Sequence, residues 1–94
     1  MRYEFDNKIL DDNLEEMKLL YSNDKEKFDE KFKEIEDTMY KKMRKYYDDL
    51  RDSYEDMEDC ELYHNIMDKI TLNFRESDTE LTGILQDYMK KIRE

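Results

Sequence analysis

A regular apolar stripe between residues 28 and 57 constrains this chain more than any other feature of its sequence. The spacings between its members are 4, 3, 4, 4, 3, 4, 4 and 3, so that each recurs after 11 residues. Eleven residues over three turns is about 3.67 residues per turn, close to a straight α-helix, and strand alternation cannot produce it. We predict one long central helix from about residue 24 to about residue 58. The stripe comprises Phe28, Phe32, Ile35, Met39, Met43, Tyr46, Leu50, Tyr54 and Met57.

Amphipathic segments lie on both sides of this helix. Before it, apolar residues predict a helix over about residues 6–21, and Asn23 stands three residues before Glu26, a capping-box spacing that predicts where the central helix begins. After it, the apolar register shifts by about one residue near 59–61, which leaves open whether the helix ends there or continues. Ser77-Asp78-Thr79-Glu80 is also a capping box, and we predict that a last helix begins there.

The composition is typical of one small helical domain. The 94 residues include one glycine and no proline, alanine, valine or tryptophan, which disfavours tight turns and well-packed strands. We predict an all-α fold, an elongated three- or four-helix bundle that forms a single domain over residues 1–94. Because a chain this short buries a modest core and carries a net charge of −10, we also expect a homodimer, or a chain most stable when bound.

Charge and apolar content predict the setting of the protein. No stretch approaches the roughly 20 apolar residues of a bilayer span, and the N-terminus is acidic, so we expect a cytoplasmic protein without membrane contact. The single cysteine, Cys60, cannot form an intramolecular disulfide. A net charge of −10 repels nucleic acid and anionic membranes and favours a basic protein surface as the partner.

Patterns for catalysis or metal binding are sparse. His64 is the only histidine, and no Ser-His-Asp or Cys-His relay can be assembled convincingly around it. Glu61 and His64 have the Glu-x-x-His spacing of di-iron carboxylate bundles, but one chain holds half of such a site. With Asp68, the same two residues could instead hold one exposed metal. We favour a solvated helix face at these positions and expect a non-enzymatic protein without a cofactor.

Two blocks of opposite charge follow each other on the central helix. Residues 38–47 hold four cations and no acid, whereas residues 48–61 hold eight acids and one cation. We expect the acids, or a dimer partner, to neutralise the basic block. Eight carboxylates along about 20 Å of helix have a spacing between those of duplex and single-stranded DNA, so they could imitate phosphates or form an ordinary solvated face. The cations are Lys41, Lys42, Arg44 and Lys45, and the acids are Asp48, Asp49, Asp52, Glu55, Asp56, Glu58, Asp59 and Glu61.

Tyrosine is the other excess, with eight of 94 residues. Tyrosines at the edge of a stripe suit a protein interface, or are simply half-buried. In size, charge and tyrosine content the chain is similar to small acidic phage inhibitors, which implies a protein that imitates nucleic-acid phosphates. Such a protein would block a basic surface of a nucleic-acid-handling or host-defence protein. The residues predicted to contact the partner are Asp48, Asp49, Asp52, Glu55, Asp56 and Asp59, with Tyr47 and Tyr54 as anchors.

A structural or secretion partner is the alternative function. In length and helical pattern the chain resembles the small helical proteins of type VII secretion, which pair as helical hairpins. Tyr54-x-x-x-Glu58 and Phe74-x-x-x-Asp78 look like the tail motifs of those families, although their Trp-x-Gly turn is absent. In this alternative an uncovered half of the stripe packs against another helix. That half comprises Phe28, Phe32, Ile35, Met39 and Met43.

Overall fold

The structure, a computed structural model, is an elongated all-α bundle of 57 × 19 × 17 Å. It describes residues 2–57 and 61–94, and within them the chain forms three α-helices and one 3₁₀ turn. The predicted fold class is therefore confirmed. The elements are α1 (Lys8–Asn23), α2 (Lys25–Asp52), the 3₁₀ turn (Glu55–Met57) and α3 (Glu61–Arg93).

Helices that follow each other in the chain pack antiparallel, α1 against α2 and α2 against α3. Lys31 on α2 pairs with Glu16 on α1 at 2.6 Å, and Phe28 packs edge-on against Tyr21 across the turn between the two helices. α2 also packs against α3, where Tyr47 contacts Ser77 and Phe32 stacks on Tyr88. The earlier residue of α2 thus contacts the later residue of α3, as in an antiparallel pair. At 16 residues, α1 is about 24 Å long and covers only part of the two longer helices.

The turn between α1 and α2 begins one residue later than the capping-box spacing predicts. Asn23 is the last residue of α1, and it is Asp24 whose carboxylate accepts the backbone N–H of Lys27 at 3.2 Å. Asp24 thus supplies the N-cap of α2. The start of α1 is also shifted, from residue 6 to Lys8, because the Asp6 carboxylate accepts the Lys8 N–H at 3.0 Å just outside the helix.

The central helix is shorter than predicted. It ends at Asp52 rather than near residue 58, because Ser53 donates its hydroxyl to the Leu50 carbonyl and the next backbone bonds are of the tighter 3₁₀ kind. Carboxylates crowd this end of α2, where the negative end of the helix dipole disfavours them. The apolar positions Tyr54 and Met57 therefore continue the stripe on a turn. The possible break at 59–61 falls largely on residues 58–60, which lie outside the described part of the chain.

The helix break predicted at Ser77 is wrong. α3 runs for 33 residues without interruption, and the Thr79 hydroxyl donates back to the Arg75 carbonyl, as side chains within a helix do. Ser77 is fully buried on the inner face of α3. It takes the place of an apolar residue in a second stripe with 11-residue recurrence, which comprises Ile70, Phe74, Ser77, Leu81, Leu85, Tyr88 and Ile92.

The core has two unequal parts. Where α1 covers α2 and α3, a region we call the three-helix half, nine buried side chains form one cluster: Leu10, Met17, Phe28, Ile35, Met39, Leu81, Leu85, Tyr88 and Ile92. Beyond α1, a region we call the two-helix arm, the cluster has only three fully buried members, Met43, Tyr47 and Ile70. Tyr3 and Phe5 of the N-terminal segment pack against the arm and replace part of the missing helix.

Candidate functional site

The described carboxylates of the predicted site lie at the far end of the two-helix arm. Three of them stand on the last two turns of α2 and two on the 3₁₀ turn that follows, and all five side chains are exposed. We call this group the acidic tip. Asp59, the sixth predicted acid, lies outside the described residues. The acidic tip comprises Asp48, Asp49, Asp52, Glu55 and Asp56.

Two carboxylates of the acidic tip pair with the preceding basic block. Asp48 lies 3.7 Å from the Arg44 guanidinium, and Asp49 lies 3.2 Å from the Lys45 ammonium, each one helical turn away. The basic block is thus partly neutralised within the molecule, as we expected. All four side chains are more than half exposed, and exposed pairs of this kind contribute about 0.3–0.5 kcal/mol each. A partner with closely placed cations could therefore displace them at small cost.

The row of eight carboxylates on one straight helix is not present. Because α2 ends at Asp52, Glu55 and Asp56 stand on a turn that no longer follows the helix axis. Glu61, the last described acid of the row, belongs to the first turn of α3, where the positive end of the helix dipole favours it. The described carboxylates thus lie on three elements: the last turns of α2, the 3₁₀ turn and the first turn of α3. A continuous phosphate-like track along α2 is limited to its last two turns.

Tyr47 was predicted to anchor a partner, and the structure places it in the core instead. Its side chain is fully buried, and its hydroxyl lies 2.7 Å from the Ser77 hydroxyl. It also accepts the backbone N–H of Tyr3 at 3.1 Å. Tyr47 is buried because the arm has no third helix, so a large side chain that can also bond a hydroxyl and the N-terminal segment fills the space between α2 and α3.

The N-terminal segment lies across the arm and is joined to it by more than one kind of contact. The Tyr3 ring packs against Tyr46 at 5.5 Å between centroids, and burial, followed by the nearby Asp6 charge, raises the pKa of Tyr3. Arg2 pairs with Glu80 on α3 at 3.2 Å and approaches Glu76 to 3.8 Å. Tyr47 thus positions the segment that covers the base of the arm.

Tyr54, the other predicted anchor, remains accessible. It follows the end of α2, is half-buried against the apolar cluster of the arm, and lies between the acids on α2 and those on the 3₁₀ turn. Arg51, the one cation of this stretch, points to the other helix and donates to the Thr71 hydroxyl at 3.5 Å. Tyr54 is therefore the aromatic side chain at the acidic tip that could contact a partner.

The apolar stripe of the alternative function is covered by the protein itself. Phe28, Ile35, Met39 and Met43 are each at most 4% exposed, because α1 and α3 cover the first three and α3 covers Met43 in the arm. Only Phe32 remains half-exposed. The uncovered half-stripe predicted for pairing with another helix is therefore wrong, since three helices, rather than one partner helix, meet there.

An open groove of about 730 Å³ runs between α2 and α3 on the side away from α1. Phe32, Tyr40 and Met89 line it as half-buried apolar side chains, with charged residues at its margins. Sequence reasoning missed this surface, because it assigned Asp78 to the capping box of a separate last helix. The available signal was the shared helix face of residues 78, 82, 85, 86, 89 and 93.

The residues considered for catalysis or metal binding do not assemble into a site. Glu61, His64 and Asp68 are all exposed on α3. Within residues 2–57 and 61–94, no three carboxylate, histidine or cysteine side chains approach closely enough to hold one metal ion. In the same part of the chain, no helix is long and apolar enough to cross a membrane.

Comparison with protein-family models, with curated proteins and with solved structures found no match to this chain. The acidic tip and the groove therefore have to be interpreted from their own chemistry.

Proposed function

We propose that this protein is a non-enzymatic binding module whose acidic tip occupies a basic, phosphate-binding surface on another protein. The observation that carries the proposal is the arrangement of five exposed carboxylates, within nine residues, around the accessible Tyr54 at one end of a 57 Å molecule. A surface built to bind phosphates offers several cations at close spacing. The tip offers matching negative charges and one aromatic ring.

Electrostatics favours the tip over the rest of the surface. The net charge of −10 gives long-range attraction to a basic surface, and this attraction speeds association. At the tip, only Asp48 and Asp49 have a cation within ion-pair distance among the described side chains. Elsewhere, the acids of α2 before the basic block alternate with lysines, and residues 11–16 of α1 hold four acids, of which Glu16 pairs with Lys31. The tip thus presents the larger of these two groups of described acids, five against the four of residues 11–16.

Blocking of a nucleic-acid-handling protein is the biological role that this mechanism suits. A small, strongly acidic protein competes with nucleic acid for the same cations without being a substrate for the partner's chemistry. Phage-type inhibition of a host-defence protein is one setting for such competition. The partner contact would consist of the acidic tip and Tyr54, and Tyr47 is removed from the predicted contact because it belongs to the core.

Neutralisation of the tip tests this function. In the tip variant, Asp48, Asp49, Asp52 and Asp56 become Asn and Glu55 becomes Gln. Partners are captured from a lysate on the wild-type protein, purified, and their affinity is then measured for both proteins. We expect the tip variant to bind at least tenfold more weakly. Raising NaCl from about 0.1 M to about 1 M shortens the screening length from about 10 Å to about 3 Å and should abolish wild-type binding.

A matched variant separates the tip from net charge. Five exposed acids of α1 and α2 are neutralised instead, so that the overall charge changes by the same amount: Asp12, Glu15, Asp29, Glu30 and Glu34. We expect this variant to keep most of the affinity and all of the competition with duplex DNA for the partner. Equal loss of affinity in both variants, or binding that survives high salt, would contradict the proposal.

A further inference from the structure

The groove between α2 and α3 carries its acids in the middle and at one end. Phe32 on α2 stacks on Tyr88 on α3, and the two helices run antiparallel. Glu36 and Asp37, about one turn further along α2, therefore lie near the middle of the groove. The end towards the arm has an acid on the opposite wall, and the far end has two cations. In order from the arm, the charged residues of the groove are Asp78, Asp37, Glu36, Lys90 and Arg93.

These charges have no partner within the described part of the molecule. None of the five ion pairs formed among residues 2–57 and 61–94 includes a charged residue of the groove. Lys33 and Lys41 each stand one turn from Asp37 on α2, a spacing that suits ion pairs, yet neither pairs with it. All five charged side chains of the groove are exposed, so they are available to an occupant.

The walls of the groove determine the backbone conformation of an occupant. Both walls are uninterrupted α-helices, whose backbone amides and carbonyls bond within the helix. Because they offer no free edge to an extended peptide, the occupant has to satisfy its own backbone groups, as an α-helix does. The groove extends over about 22 Å from Asp78 to Arg93, which matches a helix of about 15 residues.

The charges of the groove exclude a second copy of this chain. An antiparallel pair of grooves would oppose Glu36 and Asp37 of one copy to the same two acids of the other, and a parallel pair would oppose every charge to its like. The net charge of −10 disfavours nucleic acid in the same way. The occupant is therefore a different protein, with cations where the groove has acids.

We infer that the groove binds a basic amphipathic helix of another protein. The apolar face of this helix packs on Phe32, Tyr40 and Met89, which are half-buried and open on the side away from α1. Its lysines or arginines lie between the acids of the two walls. Its C-terminal end, where backbone carbonyls lack partners, faces the cations at the far end of the groove.

The bound helix becomes the fourth helix of a bundle, because it covers the side of the α2–α3 pair that α1 leaves open. Twelve residues line the groove, fewer than the roughly 20–30 per side of a standard stable interface, so the complex is reversible. The groove lies in the three-helix half and the acidic tip at the end of the arm. The inference is therefore independent of the proposed function.

A designed peptide tests the inference. The probe has about 15 residues, with leucine at every third or fourth position, lysine on both flanks of the leucine stripe over about its first ten residues, and a free C-terminal carboxylate. We expect it to bind the wild-type protein with micromolar affinity by fluorescence anisotropy. A scrambled peptide of the same composition, whose leucines no longer share a face, should bind at least tenfold more weakly. Amidation of the C-terminus should weaken binding about twofold to fivefold.

Two protein variants locate the bound probe. In the groove variant Glu36 and Asp37 become Lys, and in the matched variant Asp12 and Glu15, exposed acids of α1 outside the groove, become Lys, so that the net charge changes equally. We expect the groove variant to bind the probe at least tenfold more weakly and the matched variant to stay within about threefold of wild type. A probe with glutamate in place of the lysines that face Glu36 and Asp37 should prefer the groove variant to wild type.

Three results would overturn the inference. The first is a probe that binds wild type no better than the scrambled peptide does. The second is an equal loss of affinity in the groove and matched variants, both still helical by circular dichroism, because net charge alone would then attract the probe. The third is loss of probe binding in the tip variant, which would place the probe at the acidic tip and leave the proposed function standing.

Discussion

The three-helix half and the two-helix arm contain the same two long helices, yet they are covered differently. In the three-helix half, α1 shields the seam between α2 and α3, and nine side chains are buried. In the arm only three are, and most of their apolar neighbours, such as Leu50, Tyr54 and Ile66, remain half-exposed. Two helices in contact can bury a narrow seam, whereas a third helix converts that seam into an enclosed core.

The difference shows how a chain of this size can extend a surface away from its stable part. The arm compensates for its thin core with the N-terminal segment, whose Tyr3 and Phe5 pack on it, and with hydrogen bonds through Tyr47. Its end carries the acidic tip, on the last two turns of α2 and the 3₁₀ turn that follows, where the carboxylates stay exposed and need not be buried. The three-helix half thus presents the groove, and the two-helix arm presents the acidic tip.

Truncation of a core side chain to alanine should have the largest effect on the free energy of unfolding, and this effect should differ between the two halves. Phe28→Ala removes a side chain that is 1% exposed in the three-helix half and should lower the free energy of unfolding by about 3–5 kcal/mol. Leu50→Ala removes a half-buried side chain of the arm and should cost about 1–2 kcal/mol, because water already reaches that position. Urea denaturation followed by circular dichroism measures both.

A milder pair of substitutions keeps the comparison usable if Phe28→Ala does not fold. Ile35→Val in the three-helix half should cost about 0.5–1.5 kcal/mol, and Ile66→Val in the arm should cost less than half as much. Equal losses in the two halves would show that the arm is as well packed as the bundle, and the comparison would then fail.

Tyr47→Phe tests how the arm holds the N-terminal segment that packs on it. The substitution removes the hydroxyl that bonds Ser77 and the Tyr3 amide while keeping the ring in place, and we expect a loss of about 1–3 kcal/mol. The amide proton of Tyr3 should also exchange with solvent faster, because the N-terminal segment loses its backbone bond. Tyr46→Phe is the matched control, since the neighbouring Tyr46 is half-buried and its hydroxyl makes no hydrogen bond within the described residues. Equal stability of the two variants would contradict this role.

The fold class could be predicted from the sequence because helical periodicity is a local property. The recurrence from Phe28 to Met43 marks a face of α2 that is buried, with Phe32 as its half-exposed member. The ends of the helices were less predictable. Asn23 and Asp24 are equally suitable caps by residue type, and only the path of the chain between α1 and α2 decides that Asp24 accepts the Lys27 N–H.

Ser77 shows why part of the site could not be predicted. In sequence, Ser77 and Glu80 match a capping box, but the Ser77 hydroxyl bonds Tyr47, which is 30 residues away. That contact depends on tertiary packing and has no local signature. Because the burial of Tyr47 depends on the same tertiary contact, the sequence did not reveal it, and we expected Tyr47 on the surface. The five exposed acids of the tip were located correctly as a group on the surface, because dense charge is hard to bury in any fold.

The two halves also differ in how they satisfy a buried tyrosine hydroxyl, and in this respect the arm is the better arranged of the two. Tyr47, in the arm, is bonded to two groups, whereas the Tyr88 hydroxyl, in the better-covered half, is buried and has no hydrogen-bond partner within residues 2–57 and 61–94. Burial, followed by the charge of Asp11, raises the pKa of Tyr88 to about 12. The larger core of the three-helix half therefore carries a polar group that no described side chain satisfies.

Tyr88→Phe should have a small, stabilising effect at neutral pH and a growing effect in alkali. Removal of an unpartnered buried hydroxyl should raise the free energy of unfolding by about 1 kcal/mol. Above pH 10 the phenol of the unfolded chain loses its proton while the folded protein retains it, so the wild-type protein loses stability as the pH rises from about 10 towards about 12. The variant lacks this contribution, and its advantage over wild type in urea denaturation should be larger at pH 11 than at pH 8. An advantage that stays constant between these two pH values would mean that water reaches the Tyr88 hydroxyl, and the three-helix half would then be less tightly closed than its buried side chains indicate.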